Sequence, residues 1–152
     1  MDIGVYCIHS LVRFFGMPQS VKASSVKLHN GFEGGGIVLM ESPDMTAEAV
    51  YSKITASVTP SVIQGEEGSI LIDGISIPTS IELRLRTGCK DPLTGGYSEI
   101  LPYTPAKNNM VYEIEEFLRL IEKDEINHKY LQYSLDAIRV IDEVRRQAEI
   151  IF

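Results

Sequence analysis

The hydrophobic and polar positions between residues 2 and 16 repeat with the period of an α-helix. One side of this helix is apolar and carries Ile3, Cys7, Ile8, Leu11, Phe14 and Phe15. The opposite side carries a polar stripe formed by Asp2, Tyr6, His9 and Arg13. Asp2 is expected at the N-cap or in the first turn, where free amides and the helix dipole stabilise a carboxylate. Gly16, followed by Met17-Pro18, predicts the end of the helix.

Short segments of alternating polarity follow, and they predict β-strands joined by turns. The expected strands are 20–28, 37–41, 46–58, 61–64, 69–73, 75–77 and 80–86. Because the connections between successive strands are short, the sheet is expected to be largely antiparallel. Residues 87–105 are rich in glycine and proline. We expect a long loop there, which is either a functional flap or a mobile excursion.

Two segments near the end of the chain have apolar residues at helical spacing. The first begins at Asn108 or Asn109, and Ser134 is expected to cap the second. The predicted architecture is α+β, an open, mostly antiparallel sheet of about five or six strands with three helices on one face. Residues 1–152 are expected to form this single domain, and the uncovered sheet face is expected to pack on a second copy.

The composition narrows the possible partners of the chain. The 14 basic and 21 acidic residues give a net charge of −7. This charge argues against binding to nucleic acid or to an anionic membrane, because both need clustered Lys and Arg. No apolar run is long enough for a membrane span, and no export signal is found. The two cysteines form no disulfide pattern, which favours the cytoplasm. No cluster has metal-ligand spacing, so no metal is predicted.

Asp2 and Tyr6 are the candidate catalytic residues, since residues at i and i+4 of a helix project together. A carboxylate beside a phenol is a workable proton relay. The alternative is that Asp2 is only a cap and that Tyr6 packs with a solvated hydroxyl. His9 and Arg13 are candidate substrate-binding residues, because His9 can titrate near neutral pH and Arg13 can hold an anionic group. Both are otherwise ordinary residues of a solvated helix face.

The glycine-rich segment from His29 to Gly36 allows two interpretations. A glycine cluster can cradle phosphates, but that motif continues with Lys and Ser or Thr and opens a helix. In this sequence a predicted strand follows instead. The segment is therefore predicted to be a hairpin connection.

Three segments, taken in order, resemble one protein family. They are Met-Asp-Ile-Gly-Val-Tyr with a helix ending in Phe-Gly-Met-Pro, the strand-turn segment 63–70, and the final helical segment 134–147. Together they resemble the C-terminal domain of the glucose-fructose oxidoreductase / inositol dehydrogenase (Gfo/Idh/MocA) family over nearly the whole chain. The resemblance implies an NAD(P)-dependent dehydrogenase whose N-terminal Rossmann domain binds NAD or NADP. This domain would complete the substrate site and form a homodimer or tetramer through its open sheet.

The resemblance also implies roles for two residues of the first helix. Asp2 matches the aspartate of the family motif. Tyr6 occupies the position that is histidine in inositol dehydrogenase-like members and tyrosine in members similar to dihydrodiol dehydrogenase. Tyr6 therefore implies the tyrosine subgroup and a small-molecule substrate such as a sugar, a polyol or a cyclic diol.

The sequence departs from the family in one respect. It has no Gly-x-Gly-x-x-Gly after a strand and no Glu-Lys-Pro, whose lysine acts beside the aspartate in family members. We therefore expect a fragment that is inactive alone and binds no cofactor, with the cofactor and the lysine supplied by the missing N-terminal Rossmann domain. The alternative is a stand-alone, non-catalytic oligomerisation or ligand-binding module.

Overall fold

The computed structural model describes residues 2–86 and 97–150, in which one helix is followed by a run of strands and then by two helices. In chain order the elements are α1 (Gly4–Phe15), β1 (Ser20–Lys27), β2 (Glu33–Ser42), β3 (Met45–Ser52), β4 (Ser61–Gln64), β5 (Gly68–Ile72), β6 (Ile81–Leu85), β7 (Tyr97–Ile100), α2 (Met110–Glu122) and α3 (Lys129–Gln147). They belong to two compact units. The first unit comprises residues 2–56 and 124–150, and the second comprises residues 57–86 and 97–123.

The first unit is a three-stranded antiparallel sheet, in the order β1-β2-β3, with α1 and α3 packed on one face. Alternate residues of β2 and β3 point to the helices, as the period of a strand requires. The core consists of Ile8, Val12, Val38, Met40, Ala49, Tyr51, Val140 and Val144. Full burial of an aliphatic side chain contributes about 1.5–3 kcal/mol relative to exposure. This core is therefore the main source of stability in the first unit.

The other face of the same sheet is open to solvent. Ile37 of β2 lies opposite Ser24 of β1 and Val50 of β3 in the register. Ile37 is 45% exposed, Val50 is 66% exposed and the nearby Val26 is 62% exposed. This outward face therefore carries an apolar strip. Its packing on a second copy stays a prediction.

The end of α3 covers the outer edge of β1. The side-chain amide of Gln147 accepts a hydrogen bond from Ala23 N at 2.9 Å and donates one to Val21 O at 2.7 Å. Beyond the helix, Ser25 Oγ donates to Ala148 O at 3.2 Å. An open strand edge can pair with other chains. The contacts from the end of α3 therefore pair two of the backbone groups on this edge, Ala23 N and Val21 O.

The second unit contains a four-stranded antiparallel sheet, in the order β4-β5-β6-β7, and the helix α2. Among its described residues, only Ile72 is a buried apolar residue. Apolar residues recur along α2 at helical spacing, yet none of its residues is buried. Phe117 and Ile121 of this helix are 62% and 59% exposed.

The predicted α+β class with antiparallel strands is confirmed. The described strands, however, form two sheets of three and four strands instead of one sheet of five or six. Packing on one sheet face is observed for α1 and α3, whereas α2 has no buried residue. The single domain over residues 1–152 stays a prediction.

Some predicted strand boundaries are wrong. β3 ends at Ser52 rather than at Val58, because Ser52 Oγ accepts hydrogen bonds from the amides of Ile54 and Thr55 and so starts a turn. No strand forms at 75–77. Residues 97–100 form β7 inside the predicted loop, while residues 87–96 of that loop lie outside the described residues.

The helix boundaries are closer to the prediction, with one correction. α1 ends at Phe15, and Gly16 has a positive φ of 78°, which favours glycine. Asn109 is the N-cap of α2, as expected. The N-cap of α3 is His128 rather than Ser134, because His128 Nδ1 accepts a hydrogen bond from Leu131 N, so the helix begins six residues earlier than expected.

Candidate functional site

Asp2 lies just before α1. The N-cap of this helix is Ile3, which makes no side-chain capping bond, and the first turn contains no acidic residue. The prediction that Asp2 is the N-cap or a first-turn residue is therefore wrong. The Asp2 side chain is 80% exposed, and its carboxylate lies 3.8 Å from Nζ of Lys53. Asp2 is thus held by a cation that follows β3 rather than by the free amides of α1.

Tyr6 lies in the first turn of α1, and its side chain is open to solvent. Its amide donates to Ile3 O at 3.3 Å, and its carbonyl accepts a hydrogen bond from Ser10 Oγ at 2.8 Å. These bonds fix the backbone of the turn, while the residue remains 56% exposed. The phenol is therefore accessible to a ligand. A relay between Tyr6 and Asp2 stays a prediction.

The other two residues of the polar stripe lie further along α1. His9 is half-buried. The Arg13 guanidinium lies 5.7 Å from the ring centroid of Tyr130, a residue of α3. A guanidinium at this distance is attracted to the ring, so Arg13 helps to join the two helices. Substrate binding by His9 and Arg13 stays a prediction.

Glu33, the first residue of β2, is the only buried charged residue in the described ranges 2–86 and 97–150, at 4% exposure. Tyr51 Oη donates a hydrogen bond of 2.5 Å to Glu33 Oε1. Lys53 Nζ lies 3.9 Å from Glu33 Oε2. A buried carboxylate is costly unless it is hydrogen-bonded and paired with a cation. Tyr51 and Lys53 meet these two requirements, so the three residues form one network that runs from the buried Glu33 to the partly exposed Lys53.

Tyr51 remains a donor in this network. Burial raises the pKa of its phenol well above the usual value, and the hydrogen bond to Glu33 and the negative charge of Glu33 raise it further. The reason is that a phenolate would lose its hydration and would face a carboxylate. At neutral pH the Tyr51 phenol therefore holds Glu33 in place and does not exchange protons with a substrate.

The register of β2 and β3 explains why the network forms. Tyr51 lies opposite Gly36, and a Cβ at position 36 would lie 2.6 Å from Tyr51 Oη. Lys53 N donates to Gly34 O at 2.7 Å, which fixes the lysine backbone just after β3. Residues two apart in an extended segment point to the same side. Tyr51 and Lys53 can therefore reach the same carboxylate.

The glycine-rich segment contains the predicted hairpin connection, but the connection is shorter than expected. Leu28 N donates to Phe32 O at 2.7 Å, and Gly31 has a φ of 84° in the turn. The three glycines 34–36 lie inside β2. Their role is to leave space for neighbouring side chains and backbone rather than to turn the chain.

Sequence reasoning missed Glu33, Tyr51 and Lys53. Glu33 was hidden in a segment predicted to be a connection, and the other two lay in a predicted strand with no assigned chemistry. A signal was present, because Tyr51 and Lys53 alternate with the same phase as the buried Ala49. A lysine that continues this phase just after the strand can reach an anion on the same side, and Glu33 is that anion.

Two curated proteins match the whole chain. IolU of Bacillus subtilis (strain 168), a scyllo-inositol 2-dehydrogenase (NADP(+)), is 36% identical over 154 aligned residues. YgjR of Escherichia coli (strain K12), an uncharacterized oxidoreductase, is 35% identical over 152 residues. The chain spans 44% of the length of each relative, and the match falls in their C-terminal part. No family model matches the sequence.

Solved structures show the same fold at low sequence identity. UDP-N-acetylglucosamine 3-dehydrogenase GnnA from Acidithiobacillus ferrooxidans superposes with a TM-score of 0.79 at 16% identity, covering 98% of this chain and 48% of GnnA. The yvaA protein of Bacillus subtilis superposes with a TM-score of 0.76 at 14% identity, covering 97% of this chain and 48% of that chain. The chain is similar to Gfo/Idh/MocA-type oxidoreductases, as its sequence predicts. It corresponds to the C-terminal domain of these oxidoreductases.

Members of the Gfo/Idh/MocA family use a nicotinamide dinucleotide, but the described residues of this chain do not fit one. The pyrophosphate of such a cofactor requires a glycine-rich turn that opens a helix. In this chain the glycine run continues as β2, and the space above Gly36 is taken by the Tyr51 hydroxyl. Within residues 2–86 and 97–150, no helix has the length and apolar character to cross a membrane.

Proposed function

We propose that this chain is the substrate-binding and oligomerisation domain of an NAD(P)-dependent oxidoreductase. The enzyme would act on the hydroxyl or carbonyl carbon of a sugar, an inositol or another cyclic polyol. The observation that carries this proposal is the 36% identity to IolU over the full length of the chain. IolU is named for its action on scyllo-inositol, which supports a cyclic polyol as the substrate class. The tyrosine subgroup is a further part of the proposal.

In this proposal Asp2 and Tyr6 move the proton of the substrate hydroxyl. Tyr6 Oη gives the proton to, or takes it from, the substrate oxygen, and the Asp2 carboxylate accepts or returns it. Both side chains are open to solvent at the start of α1, which supports access by a small molecule. His9 and Arg13 would contact the substrate further along the same helix.

The cofactor, NAD or NADP, would be held outside this chain by an N-terminal Rossmann domain, as the family implies. The name of IolU includes NADP(+), which supports NADP as the first choice to test. A homodimer or tetramer would form through the outward face of the first sheet, where Ile37, Val50 and Val26 are exposed. The net charge of −7 supports neither nucleic acid nor an anionic membrane as a partner, and the cytoplasm stays the proposed location.

The proposal is tested with the complete protein, encoded by the reading frame that contains this chain. With NADP⁺ and scyllo-inositol, the complete protein is expected to form NADPH. Asp2→Asn and Tyr6→Phe are each expected to lower kcat by about 10²–10⁴-fold, the range for positioned acid–base groups. Tyr112→Phe, which changes a half-exposed tyrosine of α2, is the matched control and should keep the activity.

A second experiment uses the 152-residue chain alone. Calorimetry with NADPH and NADH is expected to show no binding. Tight binding of either nucleotide by this chain would contradict the assignment of the cofactor to another domain. Full activity of both Asp2→Asn and Tyr6→Phe would contradict the proposed roles of those residues.

The second candidate function is a stand-alone, non-catalytic oligomerisation or ligand-binding module. The exposed apolar strip on the outward face of the first sheet favours it. The sequence upstream of Met1 discriminates between the two functions. Roughly 120–180 further codons, the size of one domain, with a glycine-rich strand-turn-helix favour the enzyme. A stop codon and a ribosome-binding site at that point favour the module.

A further inference from the structure

Lys53 joins two carboxylates that differ strongly in exposure. Its Nζ lies 3.9 Å from the Glu33 carboxylate, whose side chain is 2% exposed, and 3.8 Å from the Asp2 carboxylate, whose side chain is 80% exposed. The Lys53 side chain itself is 30% exposed. One cation therefore connects a buried anion of the sheet to the exposed acid at the start of α1.

The position of Lys53 is set from the buried side. Its backbone amide is bonded to Gly34 O at 2.7 Å, and its ammonium lies against Glu33, which is already fixed by the Tyr51 hydroxyl. Moving a cation away from a buried carboxylate is costly, whereas an exposed carboxylate can turn into water at little cost. Lys53 is therefore the fixed partner, and Asp2 is the side chain that is held.

We infer that Lys53 is a positioning residue of the proposed site, which directs the Asp2 carboxylate toward its working place beside Tyr6. This inference rests on the proposed function. Without Lys53, the exposed Asp2 side chain samples several rotamers. Misplacement of a reacting group lowers the rate even where the residue itself is intact. Lys53 does not contact the substrate in this inference, because its ammonium faces the two carboxylates.

A surface pair in the same unit provides the contrast. Lys22 Nζ lies 3.2 Å from the Glu41 carboxylate, closer than Lys53 lies to Asp2, but the two side chains are 67% and 40% exposed. Exposed pairs of this kind contribute little to stability. The difference is the buried carboxylate, since Lys53 has an anchor in the sheet and Lys22 has a partner at the surface. Lys22→Met is therefore the matched control for Lys53→Met.

The experiment measures kcat and KM of the complete oxidoreductase with a saturating polyol and NADP⁺. Lys53→Met is expected to lower kcat about 10-fold with KM unchanged within about twofold, as for the loss of a coupled neighbour. Lys53→Arg keeps the charge and is expected to recover most of the rate. Lys22→Met is expected to leave both constants unchanged. A raised KM with an unchanged kcat would overturn the inference, because it would place Lys53 on the substrate.

A double-mutant cycle tests whether Lys53 acts through Asp2. In the Asp2→Asn background, measured by single turnover, Lys53→Met is expected to change the rate by less than about twofold. The full 10-fold loss in that background would overturn the inference while leaving the role of Asp2 intact. Wild-type activity of Asp2→Asn alone would instead remove the proposed function, so the two failures are distinguishable.

A paired variant controls for folding. Lys53→Met takes one cation from the buried Glu33 carboxylate and can weaken the sheet for that reason. Glu33→Gln combined with Lys53→Met removes both charges, so no buried carboxylate is left without its cation. The paired variant is expected to unfold at a temperature near that of the wild type and to keep the 10-fold loss of kcat. Recovery of kcat in the paired variant would show a purely structural role and overturn the inference.

Discussion

The two units of the chain use the same kind of antiparallel sheet but differ in where their apolar residues lie. In the described ranges, every buried apolar residue except Ile72 belongs to the first unit. In the second unit, Val62, Ile100 and Phe117 are 46%, 70% and 62% exposed. The first unit therefore has a core of its own, whereas the described residues of the second have almost none.

The difference shows what an amphipathic pattern determines and what it leaves open. α1 and α2 have equally clear apolar sides, but α1 buries Ile8 and Val12 while α2 buries no residue. The pattern therefore identifies the side of a helix that is suited to packing. It does not identify the surface that covers this side.

The largest expected effect is the loss of stability when a buried apolar residue of the first unit is truncated. Ile8→Ala, at a fully buried position, is expected to lower the free energy of unfolding by about 2–5 kcal/mol, because it leaves a cavity in the first core. Ile114→Ala, at a position of α2 that is 54% exposed, should change it by less than about 0.5 kcal/mol. Urea unfolding of the isolated chain measures both. Equal losses would mean that α2 is covered in solution.

A pair of tyrosines sharpens the comparison. Tyr51 of the first unit and Tyr97 of the second each donate to a glutamate, at 2.5 Å and 2.8 Å, but only Tyr51 is buried. Tyr51→Phe is expected to lower the free energy of unfolding by about 1–3 kcal/mol, because the buried Glu33 loses a donor. Tyr97→Phe should leave the unfolding midpoint unchanged. A larger loss of unfolding free energy at Tyr97 than at Tyr51 would contradict the difference in burial between the two units.

The same tyrosine predicts a dependence on alkaline pH. The pKa of Tyr51 is raised in the folded protein from an ordinary value of 10.0, so its contribution to stability is complete below pH 10. Above pH 10 the unfolded state releases the proton first, and stability falls by up to about 1.4 kcal/mol per pH unit. Unfolding at pH 9, 10 and 11 is expected to show a smaller loss in Tyr51→Phe than in the wild type. Identical slopes would contradict the burial of this phenol.

The smallest expected effect concerns the edge of the first sheet. Gln147→Ala removes two hydrogen bonds to β1 and is expected to cost about 1 kcal/mol. It also opens the strand edge, so light scattering at high concentration should show more association. Gln132→Ala, in the same helix but bonded only to Asp136 of that helix in the described structure, is the control. If the control associates to the same extent, the association does not come from the opened edge of β1.

Much of the fold could be predicted because the deciding signals are local. Gly16 ends α1 with a positive φ, and β4 matches the predicted limits 61–64. The start of α3 was missed because a histidine side chain caps it, and histidine is not among the residues that usually signal an N-cap. The division of the strands into two sheets was also missed. Alternation along one strand does not indicate which other strand it pairs with.

The site was predicted only in part, for a related reason. Helical spacing identified Asp2 and Tyr6, whereas the partner of Asp2 is Lys53, which is remote in sequence. Lys53 comes close through the antiparallel pairing of β2 and β3 and through the buried Glu33. No local pattern contains that information. Pairing between distant segments can be recognised only once the sheet register is known.

Gly36 is a position of β2 at which this protein is expected to tolerate no side chain. Because it has no side chain, the Tyr51 phenol can pass over it and reach Glu33. An added Cβ would lie 2.6 Å from Tyr51 Oη and 2.7 Å from Ser24 O. Replacing it with valine to favour a strand would be a sensible choice in most sheets. In this sheet the replacement would displace the phenol, and a smaller residue at position 51 would still leave the clash with the backbone of β1. Position 36 is therefore expected to remain glycine even in variants that have lost the phenol at position 51.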